Sequence, residues 1–236
     1  MNLDRVTITG ADDSIHPQEL IRLSTLFPFA EWGILLSKSQ VGHPRFPSFG
    51  WLRQLQAERT INMQLSEHIC GTWVRNMMAG SCLFQHDMYP YLGMFKRLQW
   101  NFHAEHLRPQ LGCVATGLLY YPNHQHIFQM DGVNDQLLST LRTSQEADIV
   151  PLFDTSGGAG IVPKKWPAAM PDVYCGYAGG LGPDTLEHEI TRIKEVVGHA
   201  TIWIGMERRV RSDNDHQFDL QKVERCLRIA NKWVTV

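Results

Sequence analysis

Short apolar runs rich in β-branched residues alternate along the chain with longer stretches in which apolar residues recur at helical spacing. Short runs of this kind are typical of buried strands, and the longer spacing is typical of amphipathic helices. The apolar runs predict eight strands: Val6–Thr9, Trp32–Leu36, Ile61–Leu65, Leu98–His103, His126–Met130, Asp148–Phe153, Val173–Ala178 and Thr201–Met206.

The stretches between these runs predict helices at Pro17–Leu26, Phe49–Arg59, Thr72–Met78, Asp135–Gln145, Thr185–Val197 and Leu220–Trp233. The last helix is among the clearest, because its apolar residues share one face and Asp219 stands where an N-cap belongs. The stretch Cys82–Arg97 contains a Tyr-Pro pair and predicts a loop with helical pieces.

Strands that alternate with helices indicate a parallel sheet. Eight such units, with no break in composition between them, favour a closed barrel over an open sheet. The predicted fold class is therefore α/β, a (β/α)8 TIM barrel that forms a single domain over residues 1–236. In such barrels the chemistry gathers at the C-terminal ends of the strands, so the residues that follow each strand are the candidates for function.

Charge and composition argue against two classes of binding partner. The chain has 22 Lys and Arg against 24 Asp and Glu, so no overall positive charge favours nucleic acid or an anionic membrane. The first residues contain no basic leader followed by an apolar run, and no apolar stretch is long enough to span a bilayer. We expect a soluble cytoplasmic protein, monomeric or homodimeric, whose five cysteines are reduced.

The loop after the sixth strand begins with an acid and is rich in glycine. Asp154 is a candidate general acid or base, and Gly157 and Gly158 allow backbone amides to approach a ligand. The structural alternative is that Asp154 caps the loop and the glycines only form turns.

The loops after the seventh and eighth strands suggest an anion site. Gly179 and Gly180 stand in a glycine-rich turn that leads into a predicted helix, an arrangement that binds phosphate through backbone amides. Arg208 and Arg209 follow the eighth strand and Arg45 follows the second, and all three are candidates for charge-assisted contacts to an anion. An ordinary tight turn and a solvated charged face are the alternatives.

Further polar residues are expected at the barrel mouth. Glu67 and His68 follow the predicted third strand, and His103 ends the fourth. Glu67 and His103 are therefore possible rim residues. Imidazole and carboxylate ligands suit several divalent metals, but no HxxxH or HExxH motif organises these residues, so we predict no metal site.

Several of these segments, in this order along the chain, resemble the phosphoribosylanthranilate isomerase family. Asp154-Thr155 with Gly157-Gly158-Ala159-Gly160 resembles the family's Asp-Thr and Gly-Gly-Thr-Gly loop, and Gly179-Gly180-Leu181-Gly182-Pro183 resembles its Gly-Gly-Leu-Asn-Pro turn. Asn101-Phe102-His103 is similar to its strand-four Gln-Leu-His segment, and Arg45-Phe46-Pro47-Ser48 to the region whose arginine holds the anthranilate part of the substrate.

The resemblance implies an Amadori rearrangement, in which an aminoaldose becomes an aminoketose without a cofactor. It implies that Asp154 is the general acid. The family's base is a cysteine at the end of strand one, and Thr9 occupies that position here; a hydroxyl is a far poorer base than a thiolate. The family's Ser-Gly pair after strand eight is replaced by Arg208-Arg209.

Three hypotheses about function follow. The first is a cofactor-independent isomerase of a phosphorylated sugar derivative, with Asp12, Glu67 or His103 as the substitute base. The second is a barrel that binds a phosphorylated, nucleotide-like small molecule without turnover, which Thr9 and the arginine pair favour. The third is a metal-dependent hydrolase that uses His68 and His103.

Overall fold

The structure is a computed structural model that describes residues 1–79, 90–102, 111–132, 134–144 and 147–235. Eight parallel strands close into a barrel, each paired with its neighbours in chain order and the last paired with the first. This confirms the predicted (β/α)8 fold. The strands are β1 Asn2–Thr9, β2 Ala30–Ser37, β3 Gln64–Cys70, β4 Arg97–Trp100, β5 Gln125–Met130, β6 Ile149–Phe153, β7 Cys175–Ala178 and β8 Thr201–Met206.

The helices in the described ranges are α1 Pro17–Leu26, α2 Phe49–Glu58, α3 Thr72–Met78, α4 Leu111–Leu118, α5 Asp135–Ser144, α6 Leu186–Val197 and α7 Leu220–Ala230, with a 3₁₀ turn at Arg208–Val210. Asp219 caps α7, since its carboxylate accepts hydrogen bonds from the backbone amides of Gln221 and Lys222. The connection from β6 to β7 contains no α-helix. In the part of the chain that the structure describes, no helix is long and apolar enough to cross a membrane.

The predicted bounds of the third strand, Ile61–Leu65, are wrong. Ile61 lies in a turn and is 92% exposed, and β3 begins at Gln64. Because the strand runs on to Cys70, Glu67 and His68 lie inside it rather than after it. The apolar signal misled because β3 carries polar residues on the face that lines the barrel interior.

The interior of the barrel is divided between a polar half and an apolar half. Side chains alternate between the two faces of each strand, so every second residue points inward. On β5, β6 and β8 four inward residues form a small apolar cluster: Ile127, Val150, Leu152 and Trp203. On β1 to β4 the buried inward residues are polar apart from Leu35: Thr7, Thr9, Glu31, Ser66, His68, Arg97 and Gln99.

A cluster of buried charged residues lies in the polar half, near the N-terminal ends of β2 and β4. Glu31 is 0% exposed and accepts hydrogen bonds from Arg5 Nη1 at 2.9 Å, Arg97 Nη1 at 3.0 Å and Thr7 Oγ1 at 2.9 Å. Burial alone acts to raise the pKa of Glu31, but the guanidinium groups of Arg97 and Arg5 overcome it and hold the pKa below its ordinary value. The Arg97 guanidinium lies 4.2 Å from the centre of the Trp203 ring. The cluster therefore joins β1, β2 and β4 to the apolar half across the barrel.

Replacing the carboxylate of this cluster is expected to destabilise the barrel. Glu31→Gln leaves two guanidinium groups without their shared counter-charge, and breaking a buried pair in this way costs about 3–5 kcal/mol of unfolding free energy. The matched control is Glu187→Gln, which removes an exposed pair with Lys232 and should cost at most about 1 kcal/mol. Denaturant unfolding measures both. Equal losses in the two variants would show that the buried cluster does not stabilise the fold.

Candidate active site

A cavity of about 260 Å³ opens at the C-terminal ends of the strands, and every strand or the loop after it contributes to its wall. Its lining includes sequence-predicted residues from five loops or strand ends: Thr9, Arg45, Asp154, Gly157, Gly158, Gly179, Gly180, Arg208 and Arg209. The structure thus brings these positions together around one space. Glu67 is not among the lining residues, and His103 lies outside the described residues.

The loop after β6 is folded around Asp154, which is only 5% exposed. Its Oδ1 accepts hydrogen bonds from the Ser156 hydroxyl at 2.7 Å and the Ser156 amide at 3.2 Å. Its Oδ2 accepts from the Gly158 amide at 2.9 Å and from Gln129 Nε2 at 3.3 Å. The carboxylate is therefore held in a fixed position beside the cavity.

The amides of this loop are used within the loop itself. The Gly157 amide donates to the Asp154 carbonyl, the Ala159 amide to the Ser156 carbonyl and the Gly160 amide to Ser156 Oγ. In this conformation the amides of Gly157 and Gly158 position Asp154 instead of facing a ligand. The hydrogen bonds thus fit the alternative in which Asp154 caps the loop and the glycines form turns, although Gly157 and Gly158 still line the cavity.

The side chains of Thr9 and His68 both lie over a glycine of the strand between them. Thr9 on β1 pairs with Gly33 on β2, which pairs in turn with Ser66 on β3. A Cβ atom at Gly33 would lie closer than 3.0 Å to both Thr9 Oγ1 and His68 Nε2. The absence of that atom lets the hydroxyl and the imidazole approach each other in the wall of the cavity.

The imidazole of His68 is neutral. Burial lowers the pKa of His68 to about 4, with Arg97 lowering it further and Glu31 opposing the change. The ring nitrogen Nε2 lies 3.1 Å from Ser66 Oγ, so a hydroxyl group orients the ring. A neutral imidazole has one nitrogen that accepts a proton, which makes His68 a candidate base. Sequence reasoning placed His68 after the strand and considered it only as a metal ligand.

The cavity also contains a thiol, which the sequence did not single out. Cys70 ends β3, and Asn101 Nδ2 donates to its sulfur at 3.2 Å. Burial raises the pKa of Cys70 to about 12, so this sulfur remains a protonated thiol at neutral pH. Cys70 therefore does not supply the thiolate that is missing at Thr9.

The loop after β7 leaves its backbone donors unused. Among the hydrogen bonds of the described residues, none is donated by the amides of Gly179, Gly180 or Leu181. Gly179 and Gly180 have positive φ angles of 123° and 63°, and a Cβ at Gly180 would collide with the backbone nitrogen of Val162. Glycine is required here because the β7 loop packs directly on the segment that follows the β6 loop.

Two arginines lie against these glycine loops. A Cβ at Gly160 would lie 3.0 Å from Arg208 Cδ, and a Cβ at Gly182 would overlap Arg209 Cβ. The glycines thus make room for the aliphatic parts of the arginine side chains. Within the described residues neither guanidinium forms a salt bridge or a hydrogen bond, and both line the cavity. They are the charges that remain available to an anion.

Arg45, in contrast, is already engaged. Its Nη1 donates to Glu207 at 2.6 Å, its Nε donates to Asp215 at 2.7 Å, and its Nη2 also pairs with Asp215. Asp12, a proposed substitute base, accepts from the Arg45 amide at 2.6 Å and from Arg211 Nη2 at 2.8 Å. Both residues belong to an ionic network at the mouth, and Arg45 must exchange partners before it holds a ligand.

The prediction that Glu67 lies at the rim of the barrel is wrong. It alternates along β3 with Ser66 and His68, so it points away from the cavity, on the same face as the core residues Leu65 and Ile69. It is fully buried, and neither carboxylate oxygen has a hydrogen-bond partner in the described part of the chain. Burial raises the pKa of Glu67 to about 8, so this residue is protonated at neutral pH.

For the metal hypothesis, the ranges that the structure describes contain no group of three or more His, Cys, Asp or Glu side chains arranged to hold a metal ion.

The burial of Glu67 predicts a specific pH dependence of stability. The folded-state pKa is raised, so the stability that the protonated carboxyl allows is complete below about pH 4.5 and is lost as the pH rises through about 8. Relative to Glu67→Gln, the wild-type free energy of unfolding should fall by about 1.4 kcal/mol per pH unit in this range. Groups common to both proteins cancel in the difference, which denaturant titrations between pH 5 and pH 8 would measure. A difference that stays constant with pH, as expected for the surface control Glu187→Gln, would contradict the assignment.

No protein-family model matches the sequence, and no curated protein matches it. Solved structures do match. TrpF from Jonesia denitrificans is 14% identical, with 97% of each chain covered and a TM-score of 0.64. A phosphoribosyl anthranilate isomerase in complex with reduced 1-(o-carboxyphenylamino)-1-deoxyribulose 5-phosphate is 12% identical, with 98% of this chain and 100% of that chain covered and a TM-score of 0.59.

A truncated 3-deoxy-D-arabino-heptulosonate 7-phosphate synthase from Thermotoga maritima also matches, at 11% identity, with 98% of this chain and 86% of that chain covered and a TM-score of 0.55. Since differently named enzymes share this barrel, similarity at these identities establishes the fold, and the reaction must be argued from the site. The resemblance to the phosphoribosylanthranilate isomerases is thus confirmed at the level of the fold: over nearly its whole length, this chain shares their barrel.

Proposed function

We propose that this barrel binds a phosphorylated sugar derivative, with the phosphoryl group between the loops after β7 and β8, and isomerises the sugar between its aldose and ketose forms. One observation carries the proposal. The unused amides of Gly179, Gly180 and Leu181 and the unpaired guanidinium groups of Arg208 and Arg209 border the same cavity. Backbone donors together with arginines are the groups that bind phosphate oxygens.

The remainder of the cavity suits the sugar. Below the rim its wall is polar on one side, with Gln99, Asn101 and Gln129, and apolar on the other, with Leu152 and Trp203. A few placed polar groups in a partly apolar cavity are typical of small-molecule sites. One of the matched isomerases was solved with a deoxyribulose 5-phosphate derivative, which supports a ligand of this class.

The proposed reaction needs one acid and one base. The acid protonates the ring oxygen of an aminoaldose, so that the ring opens to an iminium group at C1. The base then removes the proton from C2. As the enol hydroxyl at C2 loses its proton, C1 gains one, and C2 becomes the carbonyl carbon. No oxidant enters, since the hydrogens only change places.

We assign the acid to Asp154, as the resemblance implies, and the base to His68. Both side chains line the cavity, and His68 adjoins Thr9, which occupies the position of the family's cysteine. The unprotonated nitrogen of a neutral imidazole accepts a proton far more readily than a threonine hydroxyl does. Thr9 then acts as a hydroxyl beside the base, able to form a hydrogen bond with the imidazole or the substrate. To donate its proton, Asp154 must exchange at least one of the bonds it accepts from its own loop.

A second candidate function is binding without turnover. It is favoured by the four hydrogen bonds that occupy both oxygens of Asp154, because a carboxylate fixed in this way also serves simply to shape the loop. The phosphate site is common to both candidates, so binding and turnover need separate tests.

The phosphate site is tested by moving an arginine without changing the charge. In Gly182→Ala the new methyl group would lie 2.3 Å from Arg209 Cβ, so the backbone of one of the two loops must shift and the Arg209 guanidinium moves with it, while φ at this position suits alanine. We expect the affinity for ribose 5-phosphate, measured by calorimetry, to fall at least about tenfold, as for a lost charged hydrogen bond.

Gly93→Ala is the matched control, because a Cβ at Gly93 meets no atom within 4 Å, and its affinity should equal that of the wild type. The proposed site is wrong if the wild type binds ribose 5-phosphate no better than ribose, or if Gly182→Ala binds as the wild type does.

Turnover of phosphoribosylanthranilate, followed by loss of substrate fluorescence, tests the chemistry. Asp154→Asn and His68→Gln should each lower the rate at least about a hundredfold, since each removes a proton-transfer group. Both variants should still bind ribose 5-phosphate. Ribose 5-phosphate binding by a wild type that shows no turnover would favour the binding-only function. Turnover that survives in His68→Gln would exclude this residue as the base.

A further inference from the structure

A second groove adjoins the cavity and shares its arginines. It has a volume of about 420 Å³, and Arg45, Arg208 and Arg209 line both spaces. Beyond these residues its wall is formed by the segment after the 3₁₀ turn, by Pro183 and Asp184 of the β7 loop, and by Lys222 and Arg225 of α7. The phosphoryl group of a ligand bound in the cavity would therefore lie next to the second groove.

This second groove is positively charged. Six Lys and Arg side chains line it, against three aspartates. Arg45 and Arg211 are committed to the ionic network at the mouth. The ionic partners of Lys222 and Arg225 are Asp213 and Asp184, whose side chains are 99% and 81% exposed, and Lys222 Nζ also donates to the Arg211 carbonyl at 2.9 Å. Exposed pairs of this kind contribute little, so both cations can turn towards an anion.

Arg208 and Arg209 stand on the boundary between the two spaces. Their side chains are held apart, because one packs on Gly160 of the β6 loop and the other on Gly182 of the β7 loop. A single phosphoryl group bound by the β7-loop amides reaches only the cavity side of Arg208 and Arg209, and it leaves Lys222 and Arg225 paired with exposed aspartates. Two linked phosphoryl groups place one in each space and the bridging oxygen between the arginines.

We propose that the ligand of this barrel carries a diphosphate group, and that its outer phosphoryl group lies in the second groove against Arg225 and Lys222. This rests on the proposed phosphate site and names the ligand class: a diphosphate ester of a sugar or nucleoside. The cavity then holds the sugar and the inner phosphoryl group.

The test compares inorganic phosphate with inorganic pyrophosphate by calorimetry. We expect the wild type to bind pyrophosphate at least about tenfold more tightly, as for one added charged contact. Arg225→Gln lies outside the cavity lining and should weaken pyrophosphate binding several-fold while leaving phosphate binding unchanged. Lys222→Gln should act in the same direction.

Arg228→Gln is the matched control. It removes the same charge from the same helix, but its partner is Glu224 and it lies outside the groove. A general effect of charge would change Arg225→Gln and Arg228→Gln alike, and that result would overturn the proposal, as would equal affinities for the two anions. In either case phosphate binding that responds to Gly182→Ala leaves the proposed site in place. If neither anion binds, the proposed site fails first, and the diphosphate proposal fails with it.

Discussion

Two guanidinium groups share the buried carboxylate of Glu31, and the polar half of the barrel depends on that arrangement. Charges of this kind are tolerated in an interior only when each is paired, since an unpaired one costs several kcal/mol. The cluster fixes Arg97 against Trp203, whose side chain also lines the cavity. It also surrounds His68 with one carboxylate and one cation, so burial remains the main influence on the pKa of that imidazole. The floor of the site is thereby kept polar, with its buried charges paired.

At the mouth the same residue types are arranged differently. There Arg45 and Arg211 form ion pairs with Glu207, Asp215 and Asp12 across the loops after β1, β2 and β8. Within the described residues Arg208 and Arg209 form no salt bridge in that network, although Arg208 acts electrostatically on Glu207, and their aliphatic parts pack on glycines of other loops. The arginines at the rim thus divide into two that are paired with acids and two that form no salt bridge in the described part of the chain, and the proposed phosphate site uses the second two.

The sequence predicted the barrel and the residues that gather at its mouth, because buried parallel strands and glycine-rich strand ends are local patterns. It failed where the deciding contact is not local. The strand β3 was misplaced because the residues on its inward face are polar. The alternation of side chains along β3 then decides that His68 faces the cavity while Glu67 faces the helices. The pairing of Arg45 with Asp215 joins residues 170 positions apart. A sequence motif shows only that Gly160 and Gly182 are glycines. It does not show that the side chains of Arg208 and Arg209 pack against them.

The exchange of cysteine for threonine at the end of β1 has a physical counterpart elsewhere in the cavity. A thiolate base needs a nearby positive charge to lower its pKa, whereas the position of Thr9 adjoins a neutral, buried imidazole across Gly33. A cysteine at this site would meet the same conditions as Cys70, whose thiol remains protonated. The proposed base, His68, needs no such activation, because burial keeps its imidazole neutral. Under that proposal the base lies on strand three instead of strand one, and Thr9 does not by itself indicate the loss of proton transfer.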